Sequence, residues 1–213
     1  GMDDSERLIR HTAAPIVTGT SAASGSVHTF QDVTEEQARK RELAHAARHD
    51  SLTGALNRGA FEEVLARTVT DPATPSFALL YIDIDYFKAI NDMAGHAAGD
   101  AALIGATAAM GRCLPAEAVI GRLGGEEFAI VLNRSNAREC WHVAQRLRYE
   151  VERHTFRYED VEMNLTISIG ATAVDKDRKL SDVMQQADML AYKSKRDGRN
   201  RISYANENLD MPF

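Results

Sequence analysis

Two acidic residues, Asp83 and Asp85, end a dense apolar run that starts at Phe77. The run has the length and composition of a buried strand, so both acids are expected at its end. A buried carboxylate is costly unless a partner compensates for its lost hydration, and hard divalent cations bind clustered oxygen ligands. Asp83 is therefore a candidate metal ligand, although an acid at a strand end can also cap a helix or face water.

Two further acids, Glu126 and Glu127, follow the glycine pair Gly124 and Gly125 between two short apolar runs. Strand, glycine turn and strand predict a β-hairpin, in which the glycines permit a tight backbone and the close approach of a ligand. This turn could adjoin the end of the Asp83 strand. Taken alone, the same residues are also typical of an acidic surface turn.

Residues 91–100 space Asn91, His96 and Asp100 along a predicted loop and helix start that contains two glycines. A carboxylate can accept the N1 and N2 protons of guanine, and an amide can donate or accept a hydrogen bond. Such side chains could read a purine edge. Asn and Asp are also common helix caps, which is the simpler interpretation.

Cations crowd the end of the last predicted helix, beside Gly198: Lys193, Lys195, Arg196 and Arg199. Cations in a last helical turn commonly do no more than offset the helix dipole. Phosphate binding is the more specific alternative.

The elements that would position these side chains follow one another as βααββαβαβ. Strands are predicted over 77–84, 118–121, 127–132, 161–173 and 201–204, and helices from Phe87 onward and over 101–114, 135–154 and 181–197. Asn57 is the expected N-cap of an earlier helix. Strands joined by both hairpins and crossovers predict an α+β domain with one largely antiparallel sheet flanked by helices.

The N-terminal segment has a different character. Alternating patches at 16–20 and 27–30 predict a small hairpin, which is marginal in water alone and is expected to pack on the main domain or on a second subunit. Strong helix formers then continue to His49, with Leu43 as the only large apolar side chain. They predict a linker helix whose apolar stripe is thin for a coiled coil.

Composition and residue spacing limit which partners and which cellular locations are expected. A net charge of −6 makes nucleic acid a poor candidate partner. Without a run of roughly 18 to 20 apolar residues, this piece is not expected to insert into a membrane. Cys113 and Cys140 lack metal-ligand spacing, which favours a reducing, cytoplasmic location, although a longer protein could be membrane-tethered. Gly1 before Met2 resembles a cloning remnant, which suggests an excised piece.

Six segments in order resemble the GGDEF family: HDSLTGALNR, YIDIDYFKAIND, GHAAGD, GRLGGEEF, TISIG and AYKSKRDGRN. The resemblance covers about residues 49–202 and implies a palm-like sheet related to that of adenylyl cyclases, with two metal ions serving phosphoryl transfer. One departure is Ser194, where family members usually carry alanine. It touches no implied catalytic group.

The roles implied by the resemblance fall into three sets. Magnesium or manganese, two ions per half-site, would be held by Asp83, the carbonyl of Ile84, Glu126 and Glu127. The implied catalytic residues are Glu126, Glu127 and Lys195. The substrate would be bound by the base-reading side chains Asn91, His96 and Asp100, by the amides of Tyr86 and Phe87, and by the cations Lys88, Lys195 and Arg199.

The implied activity is that of a diguanylate cyclase, which condenses two GTP into cyclic di-GMP and two pyrophosphates. Each half-site holds one nucleotide, so two domains must face each other as a homodimer. The alternative is a catalytically silent GTP-binding or dimerising regulatory module. Cyclisation of ATP is disfavoured, because Asp100 suits the guanine edge.

The resemblance also suggests a domain division. Residues 24–37 resemble the last strand and exit motif of a PAS sensor domain, which implies an upstream sensor as a partner. We expect an N-terminal segment over 1–34, a linker helix over 35–49, the catalytic domain over 50–205 and a tail over 206–213.

Overall fold

The computed structural model describes residues 7–17, 23–175 and 179–205. These residues separate into two compact units, one ending at Ala47 and the other beginning at Arg48. In the first unit, strand β1 (Ile9–Val17) pairs antiparallel with β2 (Ala23–Asp32), and helix α1 (Thr34–Ala46) follows. The strands are longer than the sequence predicts, and the predicted strand positions 18–20 lie outside the described residues.

Hydrogen bonds of the backbone join the hairpin of the first unit to its helix. The amide of Val33 donates to the carbonyl of Leu8 (2.9 Å), and the amide of Leu8 donates to the hydroxyl of Thr34 at the start of α1 (2.9 Å). Helix α1 has no buried residue, and Leu43 is 65% exposed. The described part of this unit therefore lacks the apolar core that would stabilise a larger domain.

The second unit is an α+β domain built on a six-stranded sheet. Its strands are β3 (Leu56–Asn57), β4 (Ser76–Ile84), β5 (Val119–Gly124), β6 (Glu127–Asn133), β9 (Ile167–Asp175) and β10 (Ile202–Tyr204). They lie in the order β10-β9-β4-β6-β5-β3, with antiparallel pairing everywhere except at the two edges. β4 is therefore central, as its continuous apolar run predicts.

Helices cover both faces of this sheet. They are α2 (Arg58–Thr70), α3 (Phe87–Cys113), α4 (Ala137–Glu152) and α5 (Leu180–Arg196). Alternate side chains of β4 enter two cores: Leu80 and Ile82 pack with residues of α3 and α4, whereas Leu79 and Tyr81 pack with residues of α2 and α5. Both faces of β4 are therefore buried, so the side chains of this strand can reach a ligand only at its end.

Helix α5 lies unusually close to β9. A Cβ atom at Gly170 would sit 2.0 Å from the carbonyl oxygen of Ala187, so only glycine permits this approach of the two backbones. The hydroxyl of Ser194 donates to the carbonyl of Ile169 (2.8 Å) and completes the contact at the other end of the helix. The C-terminal turns of α5 are thereby held over the sheet.

One sequence prediction of local structure is wrong, and a second holds only in part. Residues 161–173 are not one strand: β8 (Val161–Asn164) pairs with β7 (Thr155–Tyr158) in a separate hairpin, and only the following β9 joins the central sheet. The alternation of apolar residues does not show which strand each half of this stretch pairs with. The stretch 91–100, predicted as a loop and helix start, lies within α3, but non-helical backbone at Gly95 (φ 83°, ψ 167°) divides α3 into two helical parts. The predicted helix start is therefore met after Gly95, whereas the predicted loop is reduced to this interruption.

The N-cap prediction at Asn57 is confirmed, since its side chain accepts a hydrogen bond from the amide of Ala60 (3.0 Å). Within the described residues, every helix is too short or too polar to cross a bilayer.

Candidate functional site

The site begins with Asp83 near the end of β4. Only 7% of the residue is exposed, and its Oδ2 lies 2.5 Å from the Nζ atom of Lys195 at the end of α5. Its other oxygen, Oδ1, is buried without a hydrogen-bond partner among the described residues. A buried carboxylate oxygen without a partner is costly, so this atom is placed to receive a ligand.

The electrostatics of this carboxyl are unusual. Burial raises the pKa of Asp83 to about 6, and the nearby charges of Glu126 and Glu127 also raise it, while the hydrogen bond and charge of Lys195 lower it without offsetting the burial. A cation placed at Oδ1 would stabilise the ionised form of Asp83 and reverse this shift.

The acidic hairpin predicted from sequence joins β5 to β6 and lies beside Asp83. Asp83 is directly opposite Glu127 in the β4–β6 ladder, and the amide of Ile84 donates to the carbonyl of Glu126 (3.2 Å). Gly124 (φ 147°) and Gly125 (φ 49°) supply the backbone angles of the turn. The sheet register therefore brings together acids that are more than 40 residues apart in sequence.

Arg122 anchors this turn. Its Nε and Nη2 donate to the carbonyl of Gly125 (3.0 and 2.9 Å), and its Nη1 lies 3.0 Å from Asp50. Both side chains are largely buried, which limits solvent screening of the pair. Arg122 was not among the predicted active-site residues, although its place two residues before the glycine pair made it a possible secondary contact for the product.

Glu127 has partners on its other side. A guanidinium nitrogen of Arg58 lies 3.9 Å from its carboxylate. The pKa of the Tyr81 phenol is raised by burial and by the charge and hydrogen bond of Glu127, which places that hydroxyl as a donor to the carboxylate. Glu127 therefore has both a cation and a hydrogen-bond donor from the protein, whereas the Oδ1 atom of Asp83 has no hydrogen-bond partner among the described residues.

The donor set fits a hard divalent cation that also needs ligands from a substrate. No three acidic, histidine or cysteine side chains in the described part of the chain are grouped closely enough to hold a metal ion alone. Magnesium is typically bound by one or two carboxylates together with substrate phosphates. Asp83, Glu126 and the carbonyl of Ile84 match that pattern, with the unpartnered Oδ1 of Asp83 as the free ligand atom.

The chain turns sharply between β4 and α3. Tyr86 adopts the left-handed conformation (φ 58°), and α3 begins at Phe87. The amides of Ala89 and Ile90 donate to the carbonyl of Tyr86 (2.8 and 3.4 Å), whereas those of Phe87 and Lys88 have no backbone partner among the described residues. Lys88 is exposed in this turn. Amides at a helix start together with a lysine form a favourable anion site.

The opposite wall of this anion site is formed by the end of α5 and the loop after it. Lys195 lies here, and the guanidinium of Arg199 stands 4.5 Å from the centroid of the Tyr86 ring. Arg199 and Asn200 both have positive φ values (61° and 47°). The structure thus brings Lys195 and Arg199 to the turn that carries Tyr86 and Lys88.

The predicted base-reading residues lie further along α3. Asn91 occupies the space over Gly99, where a Cβ atom would lie 1.9 Å from its Oδ1 atom. His96 and Asp100 are exposed, and neither these two nor Asn91 has a side-chain hydrogen bond to another described residue. The interruption at Gly95 sets Asn91 beside Gly99, an arrangement that a regular helix would not produce.

Asp85 has a role that the sequence analysis missed. The residue is 2% exposed and accepts hydrogen bonds from the hydroxyls of Thr166 (2.8 Å) and Ser168 (2.7 Å) and from the amide of Asn200 (2.9 Å). It therefore ties the end of β4 to the start of β9 and to the loop of Arg199. The Asp-x-Asp spacing pointed to the position, but not to its partners.

Comparison with known proteins gives a consistent result. The family model described as "Diguanylate cyclase, GGDEF domain" matches residues 47–201. The chain is 37% identical over 199 residues to the "Probable diguanylate cyclase DgcE" of Escherichia coli (strain K12), covering 92% of this chain and 18% of that protein. It is 29% identical over 197 residues to the "Cyclic di-GMP phosphodiesterase PdeB" of Shewanella oneidensis, covering 92% of this chain and 23% of that protein.

The chain therefore spans less than a quarter of the length of these two curated relatives. Among solved structures, it resembles the coiled coil and GGDEF domain of DgcB from Caulobacter crescentus in complex with c-di-GMP, with a TM-score of 0.76 and 29% identity. That match covers 81% of this chain and 93% of the other. The prediction of a palm-like α+β fold preceded by a hairpin is confirmed.

Proposed function

The chain belongs to the GGDEF family of diguanylate cyclase domains, and we propose that it condenses two GTP molecules into cyclic di-GMP with release of two pyrophosphates. The observation that carries the proposal is the buried Asp83, paired with Lys195 at 2.5 Å and left with one unpartnered oxygen beside the acidic hairpin. Such a group suits binding of a metal and a triphosphate together.

A magnesium or manganese pair, when bound, would supply Lewis acidity at the reacting phosphate. Asp83, Glu126, Glu127 and the carbonyl of Ile84 are the residues that would hold it. Asp83 is suited to this role because its buried oxygen has lost its water without gaining a protein partner.

The chain's own groups would serve the phosphoryl transfer in two ways. Glu126 takes the proton of the 3′-hydroxyl as that oxygen forms a bond to the α-phosphorus of the second GTP, and the bond from that phosphorus to the α,β-bridging oxygen breaks. The same step in the opposed half-site, with the 3′-hydroxyl of the second nucleotide attacking the α-phosphorus of the first, closes the ring and releases the second pyrophosphate. Pyrophosphate leaves with its charge balanced by Lys88, Lys195 and Arg199.

Base selection would be the task of Asn91 and Asp100, with His96 nearby on the same helix. The Asp100 carboxylate can accept both protons of the guanine edge, whereas the 6-amino group and N1 of adenine present a donor beside an acceptor. These side chains have no hydrogen bonds to other described residues that a ligand would have to displace.

Two copies of the domain would be needed, since one set of these residues accommodates one GTP and the reaction joins two. We therefore expect activity to depend on association as a homodimer. In a longer protein, an upstream sensor would control that association through the linker helix, with the domain boundaries near residues 34, 49 and 205 and with the catalytic part in the cytoplasm.

A catalytically silent GTP-binding module is the second candidate, favoured by one observation. The relative PdeB matches 92% of this chain, so a similar segment occurs in a protein that is named as a cyclic di-GMP phosphodiesterase and not as a cyclase. The Asp83, Glu126 and Lys195 set of this chain favours turnover.

Product identification by mass spectrometry after incubation with GTP and magnesium tests the proposal. We expect cyclic di-GMP and pyrophosphate from GTP, and no cyclic product from ATP. The matched controls are Asp83→Asn, which should abolish the product, and Asp197→Asn, an exposed acid paired with Lys193, which should not. Binding of GTP without any product would favour the silent module.

A further inference from the structure

The roles proposed above assign no function to the side chain of Tyr86. Only its backbone amide is assigned to phosphate binding, yet its ring lies 4.5 Å from the guanidinium carbon of Arg199. Tyr86 is 64% exposed and has a φ of 58°, a conformation uncommon for a bulky residue. That backbone conformation directs the largely exposed Tyr86 ring toward the guanidinium of Arg199.

The backbones on both sides of this contact are fixed independently of the ring. Asp85, the residue before Tyr86, accepts a hydrogen bond from the amide of Asn200, the residue after Arg199 (2.9 Å). The amide of Arg199 itself donates to the carbonyl of Ser194 (3.0 Å). The segments 85–86 and 199–200 are thus tied together, and the side chains of Tyr86 and Arg199 face each other.

The side chain of Arg199 has no carboxylate partner within the described residues, in contrast to Lys195, which pairs with Asp83. A free arginine side chain samples many rotamers, and ordering it on binding an anion costs conformational entropy. An aromatic face under the guanidinium restrains it without neutralising its charge and leaves its N–H groups available to phosphate oxygens.

We propose that Tyr86 is a positioning residue that holds Arg199 in place for the triphosphate of the substrate. The inference rests on the proposed function for the identity of that substrate. It predicts that the ring, and not the phenolic hydroxyl, is required, since the contact is with the face of the ring.

The kinetic test compares three variants with GTP as substrate. Tyr86→Leu should raise KM about two- to fivefold, the effect of losing one exposed cation–π contact, with kcat nearly preserved. Tyr86→Phe should restore the wild-type KM. Tyr192→Leu, which removes a tyrosine that is 63% exposed on α5, should leave KM unchanged.

The dependence on Arg199 is tested in a double-mutant cycle. In an Arg199→Ala background, Tyr86→Leu should no longer change KM, because the side chain it positions is gone. An unchanged KM in Tyr86→Leu, or an equal rise in both backgrounds, would overturn the proposal.

A readout without turnover separates this inference from the proposed function. The side-chain protons of Arg199 should show an upfield ring-current shift by NMR in wild type and Tyr86→Phe that Tyr86→Leu loses. Affinity for inorganic triphosphate should fall in parallel. A protein that makes no cyclic di-GMP but behaves in this way refutes the cyclase activity and retains the positioning role, whereas identical Arg199 shifts in wild type and Tyr86→Leu refute the positioning role.

Discussion

The acidic corner around Asp83 and the base-reading part of α3 differ in how their side chains are held. Asp83 is buried and contacts residues from β6 and α5, which are distant in sequence. Asp100 is exposed on a single helix and has no side-chain hydrogen bond among the described residues. Desolvated groups interact strongly and solvated ones weakly, so substitutions in the two regions should differ greatly in effect.

The largest effect is expected at Asp83. Asp83→Asn keeps the shape of the side chain but removes the charge that would bind the metal, and turnover should fall at least about 100-fold, on the scale of losing a main electrostatic contribution to the transition state. Steady-state rates of pyrophosphate release would measure it. A variant that kept more than about a tenth of the rate, a loss of only about 1.4 kcal/mol, would contradict the assigned role.

Substitution of Asp85 tests whether a buried acid close to Asp83 is structural and not catalytic. Asp85→Ala leaves two hydroxyls and the amide of Asn200 without their acceptor, and the free energy of unfolding should drop by about 3 kcal/mol or more. Chemical denaturation is the measurement.

Asp83→Asn is the matched control for that experiment, because burial raises the pKa of Asp83 to about 6, so that its ionised form opposes folding above the pKa it has in the unfolded chain. We therefore expect no decrease in the free energy of unfolding for this variant at pH 7. Equal losses in the two variants would mean that both acids are structural.

A smaller effect is expected in the base-reading region. Asp100→Ala should weaken discrimination of GTP against ATP by about 1 to 3 kcal/mol, the cost of leaving a hydrogen-bonding group of the ligand unpaired. The ratio of kcat/KM for the two nucleotides measures it, with Asp92→Ala as an exposed acid of the same helix for comparison. An unchanged ratio would remove Asp100 from base selection.

The smallest effect is expected when cyclic di-GMP is added as an inhibitor of turnover. The Arg-x-x-Asp inhibitory site of many family members corresponds here to Pro115 and Ala118, which line a cavity of about 250 Å³. Arg146 also lines this cavity, but its guanidinium donates to the carbonyl of Cys113 at the end of α3. Added cyclic di-GMP should therefore compete with GTP only at the active site, and submicromolar noncompetitive inhibition at saturating GTP would show a second product site.

Local sequence features predicted those parts of the fold that depend on near neighbours. The apolar run of β4, the cap at Asn57 and the glycine hairpin before Glu127 all appear as expected. The prediction of one strand over 161–173 is wrong because two short strands with different partners share a similar pattern. Strand pairing is a long-range property that alternation does not encode.

The sequence by itself determined the family, through six ordered motifs, and with it the identities of the candidate metal, phosphate and base ligands. Only the tertiary structure decided how these residues meet: Asp83 opposite Glu127 and against Lys195, Asp85 as the tie to Asn200, and Tyr86 under Arg199. The physical reason is that burial and pairing depend on sheet register and on the close approach of α5 to Gly170, which bring together groups far apart in the chain.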